Sequence, residues 1–308
     1  MPASAYFYNG QIETKQAVLV SSLRRIGRIE IPLSPPLFIA NPWNCRFRAQ
    51  FKISGDKIGF YRENSNDVVD IDMCPLMMPV INETLAKARP IIEKMKGAKE
   101  FNISIGNKTS ALLKISETEN CVKRDIENLL TVSGLSGIIV ALGKNKTQEY
   151  GNTRLELELF GLKYTISPKS FFQSHWSLNL KVIEFIKNEL APLAGETILD
   201  LYSGAGNFSL PLAAEARKII AVEENPTAIK DGKQSLKTNG IANYEFICSS
   251  AEKLSLKDDI DILITDPPRA GLTNKSVEKI LNLHPEKIVY ISCNPATLAR
   301  DLKKLLSS

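Results

Sequence analysis

From Arg46 to about Ser167 the chain runs in short stretches of alternating or β-branched apolar residues: RFRAQFKI, KIGFYRE, VVDIDM, EFNISIG, ALLKIS, GIIVAL and LELELFGLKYTI. Ser-Gly, Asn-Ser and Gly-Asn pairs divide them. Alternation between turn signals predicts half-buried strands, and these are read as antiparallel. Leu76 to Lys96 and Cys121 to Val132 instead space their apolar residues as helices do, so the region is α+β. Ahead of it, IETKQAVLVSSLRRIG predicts one amphipathic helix with Ala17, Val18, Leu23 and Ile26 among its buried residues. Its basic residues lie toward the end, where the helix dipole favours them.

After Ser177 the grain changes to strict alternation. SLNLKVIEFIKNEL, NFSLPLAAEA, PTAIKDGKQSLKTNG and KSVEKILNL read as helices, and TILDLYS, KIIAVEE, YEFICSS, IDILITDPP and KIVYISC as strands. Apolar strands alternating with helices require a parallel sheet covered on both faces. The fold class expected is therefore α/β, joined to the α+β region. The expected domains are residues 1–35 (a helix packing on the last domain), 36–167 and 168–308.

A chain of 308 residues with 44% hydrophobic and 24% charged side chains is ample for such cores. MPASAYFYNG lacks the features of a signal peptide, and no stretch reaches the roughly 18 apolar residues of a membrane helix. The expectation is a cytoplasmic chain with no membrane partner. Five cysteines at positions 45, 74, 121, 248 and 293 form no CxxC pair, which argues against a disulfide framework. With only His175 and His284 to help, no metal site is assigned. A net charge of +5 permits a polyanionic partner without demanding one.

In parallel sheets ligands gather beyond the carboxyl ends of the strands. The residues with chemistry fall there: Asp200 to Asn207, then Glu223, Ser250 with Ala251, Asp266, and Cys293. In DLYSGAGNF, Gly204 and Gly206 let the backbone turn tightly, and Glu223 is placed to accept from two ribose hydroxyls. That suits any nucleoside cofactor. A dinucleotide motif would put a third glycine where Ser209 stands, and a purely structural strand-to-helix turn remains the bland alternative. Cys293 stands before Asn294 and Pro295, a cap and first turn that place a helix N-terminus beside the sulfur and favour the thiolate. A thiolate adding to carbon 6 of uracil makes carbon 5 nucleophilic enough to accept a methyl group. The alternative is a buried strand-end cysteine without chemistry.

The ordered set SFFQSHWSLN, DLYSGAGNF, VEEN, DPPRAGL and YISCNPATLARDL resembles the RNA uracil-5-methyltransferase family, over Ser170 to the end. The resemblance implies a Rossmann-like class I methyltransferase sheet, an RNA-facing central domain and S-adenosyl-L-methionine as cofactor. It implies cofactor contacts from Gln173, Tyr202, Asn207, Glu223 and Asp266, a contact from Ser250 that remains open, and Cys293 as nucleophile. DPPRAGL is similar to the loop that flanks the cofactor in methyltransferases. Amino-methylating relatives carry an aromatic residue where Arg269 stands, so an exocyclic amine is not the expected target. FRAQFKI and VVDIDMCPL resemble the ribosomal RNA branch in particular, with the branch acting on transfer RNA as its relative.

Two departures accompany the match. The ribosomal branch has a nucleic-acid-binding barrel and three cysteines ahead of the first helix, and these join a fourth cysteine around an iron–sulfur cluster. Here Cys74 alone stands at a ligand position, so no cluster is expected. The family's base, a Glu some way beyond the nucleophile, has no counterpart in Asn294 to Ser308. Asp301 is the one carboxylate there and is expected to point along its helix surface. The expectations are a methylated covalent adduct that stalls, and a sheet without its last strands whose KIVYISC edge invites a second chain. A catalytically inactive RNA-binding remnant is the alternative of a different class.

Overall fold

The computed structural model describes residues 8–116, 122–143 and 146–307, and Cys121 lies outside them. The chain divides into two compact units, one made of Met1–Ala40 with Leu178–Ser308 and the other of Asn41–Ser177.

The first helix, α1 (Tyr8–Ser22), runs into a π-helical turn at Leu23–Gly27. Of the four residues expected to be buried, only Leu23 is; Ala17, Val18 and Ile26 are exposed. The partly covered side of α1 carries Ile12, Gln16 and Leu19 and leads to Leu23, at helical spacing, whereas Ala17 and Val18 fall on other sides.

The second unit holds β1 (Arg48–Ser54), β2 (Lys57–Tyr61), β3 (Val68–Asp70), α2 (Pro79–Ile92), β4 (Ala98–Ile105), β5 (Thr109–Ile115), α3 (Val122–Ser133), β6 (Gly137–Leu142), β7 (Lys146–Gly151), β8 (Leu155–Leu159) and β9 (Leu162–Ile166). Seven strands form one sheet in the order β3-β2-β1-β4-β5-β6-β7. Six strands were expected there as antiparallel, and one pairing corrects this: β5 and β6 run parallel, because α3 carries the chain back between them. Strand β7 was not anticipated. Its KTQEYG has no buried residue and lies at the sheet edge. Phe51, Phe101, Ile103 and Leu113 of the sheet pack with Ile81, Leu85 and Leu129 of α2 and α3 into one core. Alternation sends Arg48, Lys52, Glu100 and Lys114 to the opposite face. Strands β8 and β9 form a hairpin whose two turn residues, Phe160 and Gly161, have φ of 51° and 76°, as a tight primed turn requires.

The remaining elements are α4 (Trp176–Leu190), β10 (Thr197–Leu201), β11 (Lys218–Glu223), α5 (Pro226–Asn239), β12 (Tyr244–Cys248), β13 (Ile262–Thr265), α6 (Asn274–Leu283), β14 (Lys287–Tyr290) and α7 (Pro295–Leu305). Their strands build a wholly parallel sheet in the order β12-β11-β10-β13-β14. The order reverses direction at β10 and β13, which places a ligand crevice beyond their carboxyl ends. Strand β10, TILDL, is buried along its whole length, and β14 at the edge leaves Ile288 exposed. The helix expected over NFSLPLAAEA is replaced by turns and one 3-10 turn, Leu210–Leu212. Pro211 has no N–H to extend a helix.

Candidate active site

The glycine turn is built around a buried carboxylate. Asp200, near the end of β10, is 1% exposed and accepts from Ser209 Oγ at 2.5 Å. Ser209 Oγ lies 2.7 Å from the Tyr244 hydroxyl of β12. Gly206, at φ 88°, lies so close that a Cβ there would stand 2.7 Å from that same hydroxyl. Ser209, where a dinucleotide site would have glycine, is thus the hydrogen-bonding post that shapes the turn. Tyr202 takes a left-handed φ of 61°, uncommon for a residue with a side chain. Its hydroxyl is 3.2 Å from Ser276 Oγ, and Ser276 in turn bonds Glu252 at 3.0 Å.

Glu223, at the end of β11, faces this turn. Its Oε2 accepts from the Gly204 N–H at 2.9 Å and its Oε1 from the Asn225 N–H at 2.7 Å. Each oxygen keeps an acceptor site for a further hydroxyl. Asn207 is buried with its amide turned to Asn179 of α4. Asp266 follows β13, one position beyond Thr265. Burial pushes the Asp200 carboxyl up to about 7; the Ser209 bond opposes this, and the negative charges of Asp266 and Glu223 reinforce it. Asp200, Glu223 and Asp266 thus stand close enough at the strand ends to feel one another's charge.

On the other side of β13, Cys293 lies three residues past β14 and is exposed. Ser292 Oγ donates to Asn294 O and accepts from the Asn294 N–H, both at 3.1 Å, which locks the turn around the thiol. The Asn294 side chain accepts from the Ala296 N–H at 3.1 Å and caps α7, with Pro295 in its first turn. The Asn294 amide and the Thr297 hydroxyl each reach Arg269 O at 3.3 Å. The Arg269 side chain is exposed.

A family model described as tRNA (Uracil-5-)-methyltransferase matches residues 8–308. The chain belongs to the RNA uracil-5-methyltransferase family. It is 34% identical over 312 residues to an uncharacterized RNA methyltransferase of Aquifex aeolicus, spanning 97% of this chain and 72% of that one. A Gloeobacter violaceus relative, also an uncharacterized RNA methyltransferase, is 30% identical over 335 residues, with 97% and 72% covered. Among solved structures it is similar to the Pyrococcus abyssi tRNA (uracil-54, C5)-methyltransferase in complex with S-adenosyl-L-homocysteine. That likeness has a TM-score of 0.74 and 26% identity, covering 95% of this chain and 76% of that one. The protein is thus an RNA methyltransferase with a class I methyltransferase sheet.

Within this RNA methyltransferase, Tyr202, Asn207, Glu223, Asp266 and Cys293 all lie at or just past the carboxyl ends of one sheet. Gln173 belongs to the other unit, where it lines a small cavity with Arg48, Ser170, Phe172 and Trp176. Ser250 precedes a 3-10 turn, Ala251–Lys253, beyond β12. Cys74 is half-buried, its backbone N–H and C=O both bonded to the Asn82 amide at 3.0 and 3.1 Å. Among the described residues no group of three or more His, Cys, Asp or Glu has metal-holding geometry. No helix among them is long and apolar enough to cross a membrane.

Asp301 corrects an expectation: it is fully buried rather than laid along the helix surface. The helical spacing shows why, since Asp301 stands four residues after Thr297 and three after Leu298, on the inward face of α7. Sequence reasoning also passed over Asn179, Ser209 as a hydrogen-bonding post, and Tyr290, whose hydroxyl donates to Asp301 Oδ2 at 2.8 Å. Burial and that carboxylate together push the Tyr290 hydroxyl well above its usual range.

Proposed function

We propose that this chain uses S-adenosyl-L-methionine to methylate carbon 5 of a uridine in RNA, in the finer reading a uridine of ribosomal RNA. The observation that carries the proposal is an exposed thiol, Cys293, at the end of the same row of strands that presents Glu223 and Asp266. The residues fit the cofactor. Glu223 keeps acceptor sites for ribose hydroxyls beside the glycine turn, and the carboxylates of Glu223 and Asp266 at the strand ends suit a cationic ligand. Tyr202, Asn207, Asp266 and Gln173 are proposed as the remaining contacts.

Adenosyl-methionine, when bound, supplies an electrophilic methyl group. The chain's own task is to make carbon 5 of the uracil nucleophilic. The Cys293 thiolate forms a bond to carbon 6, and the electrons of the 5,6 double bond move toward oxygen 4, leaving carbon 5 able to take the methyl group. Arg269, an exposed donor fork beside the thiol's helix cap, suits a carbonyl or phosphate oxygen of the RNA. Loss of the carbon 5 proton then lets the carbon–sulfur bond break. Asp301 is not the base for that step, because both its oxygens are engaged and none of it is exposed.

Denaturing electrophoresis after mixing the protein with adenosyl-methionine and transcribed ribosomal or transfer RNA tests the proposal, with Cys293→Ala alongside. A Cys293-dependent band that survives denaturation supports it. Methylation that persists in Cys293→Ala would sink it in favour of amino-group chemistry. The absence of both a band and cofactor binding would leave an RNA-binding remnant. Transfer RNA is the second reading, favoured by the likeness to the Pyrococcus abyssi enzyme, and the RNA that gives the band decides between the two.

A further inference from the structure

A single buried carboxylate joins the two segments that carry the chemistry. Asp301 Oδ2 accepts from the Leu272 N–H at 2.7 Å and from the Tyr290 hydroxyl at 2.8 Å. Its Oδ1 is paired with Arg300, whose Nε lies at 2.8 Å and Nη2 at 2.7 Å. Arg300 Nη2 also donates to Ala270 O at 2.8 Å and Leu272 O at 3.3 Å. The loop of residues 266–272, with Asp266 and Arg269, is thereby fastened to α7. The stretch 290–294, with Cys293, is fastened to the same residue through Tyr290.

The fit leaves no slack. Gly271 has φ 77°, and a Cβ there would stand 2.4 Å from Asp301 Oδ2, so loop backbone rests directly on the carboxylate. A buried carboxylate is costly unless every oxygen is satisfied, and here each is. Asp301 has no exposure through which to reach a substrate, so its part is mechanical.

We infer that Asp301 is a positioning residue for the Cys293 thiol. It sets the N-terminal turn of α7, and with it Cys293, against the backbone of Arg269. This rests on the reading of Cys293 as nucleophile. The role predicts a split: removing the carboxylate should slow bond formation at carbon 6 while leaving cofactor binding nearly intact, since Glu223 and the glycine turn are held by other contacts.

The test compares the parent with Asp301→Ala, Asp301→Asn and Tyr290→Phe. Adduct formation is timed on transcripts of ribosomal and transfer RNA containing 5-fluorouridine, where fluorine replaces the proton to be removed and the adduct cannot resolve. Cofactor affinity is measured by calorimetry and folding by melting. Asp301→Ala is expected to form adduct about tenfold more slowly with affinity within about twofold of the parent. Asp301→Asn, which keeps an acceptor for Leu272 and Tyr290, is expected to recover to within about threefold. Parent-like adduct rates in folded Asp301→Ala, or affinity falling in step with the rate, would overturn the inference. Should Asp301→Ala fail to fold, Tyr290→Phe decides: a slower rate at unchanged affinity supports it and a parent-like rate overturns it. Should the parent form no adduct with any RNA, the nucleophile reading fails separately. Asp301 is then judged by iodoacetamide alkylation of the Cys293 peptide, followed by mass spectrometry. The same order of rates supports it, and equal rates across the variants overturn it.

Discussion

The side-chain amides of Asn179 and Asn207 form a reciprocal pair, each donating to the other's carbonyl oxygen, at 2.8 and 2.9 Å. Both residues are buried. The pair ties helix α4 to the glycine turn and turns the Asn207 amide in one direction, leaving one hydrogen and one lone pair for a ligand. Asn179→Ala would strand a buried amide, so a stability loss of about 1–3 kcal/mol is expected. It should weaken adenosyl-methionine binding as well, although Asn179 is not among the proposed contacts. Melting and calorimetry on that variant check both, and unchanged affinity would show that Asn207 needs no such support.

Asp200 makes the unit's stability depend on pH. Its folded carboxyl is lifted to about 7, by burial above all, against roughly 3.9 in the unfolded chain. The protonated form is therefore the one folding prefers. Its contribution is complete below about pH 4 and is lost as pH rises toward 7. Asp200→Asn keeps an acceptor for Ser209 and removes the charge, so it should raise stability at pH 8 by roughly 2–4 kcal/mol while changing little at pH 4. A bound cation would draw the carboxyl down, so cofactor affinity is expected to rise with pH through the same range. Melting and binding titrations from pH 5 to pH 8 would show either trend or its absence.

Glu100 works in the opposite sense. Burial disfavours its charge, but hydrogen bonds from Lys114, Lys52, Gln50 and Asn102 outweigh burial and hold the carboxyl at about 2. The Lys114 ammonium lies 2.8 Å from Glu100 Oε1, and Lys52 pairs with Oε2. This stability is present above about pH 4.3, the unfolded value, and is lost as pH falls toward 2. Glu100→Gln is expected to cost about 1–3 kcal/mol at pH 7 and almost nothing near pH 2. A cost that stays constant across that range would place its origin in packing.

Gly206→Ala should damage the turn by two routes at once. A left-handed φ of 88° disfavours any side chain, and the new methyl would press on a Tyr244 hydroxyl that Ser209 holds in place. A loss of roughly 1–3 kcal/mol is expected, with cofactor affinity falling too. Pairing it with Tyr244→Phe removes the contact and leaves the strain, so partial recovery in the double variant would separate the two.

The strand ends were legible because a parallel sheet turns an alternating pattern into a row, and Asp200, Glu223, Asp266 and Cys293 each followed an apolar run. Strand β7 was not, since KTQEYG offers a single apolar side chain, Tyr150, to the core and so shows no run of alternating apolar residues. The parallel pairing of β5 with β6 depends on what lies between them, which local pattern does not weigh. Asp301 was misjudged by treating a carboxylate on a short helix as solvent-seeking, when its spacing from Thr297 and Leu298 already put it inward. The Asn179 and Asn207 pair left no trace in either segment, because a contact between distant positions has no local signature.

Residues 1–40 and 178–308 build one unit, and the π-helical turn after α1 packs against α7 so closely that a Cβ on Gly27 would lie 3.1 Å from Ala299 O. The two segments of that unit are therefore held apart along the chain by all of residues 41–177, and their contact closes a long loop. Residues 41–177 are contiguous and hold their own core, so they can fold without that contact. The contact between α7 and the turn after α1 is thus strongly non-local, and closing it is expected to be slow beside the folding of residues 41–177.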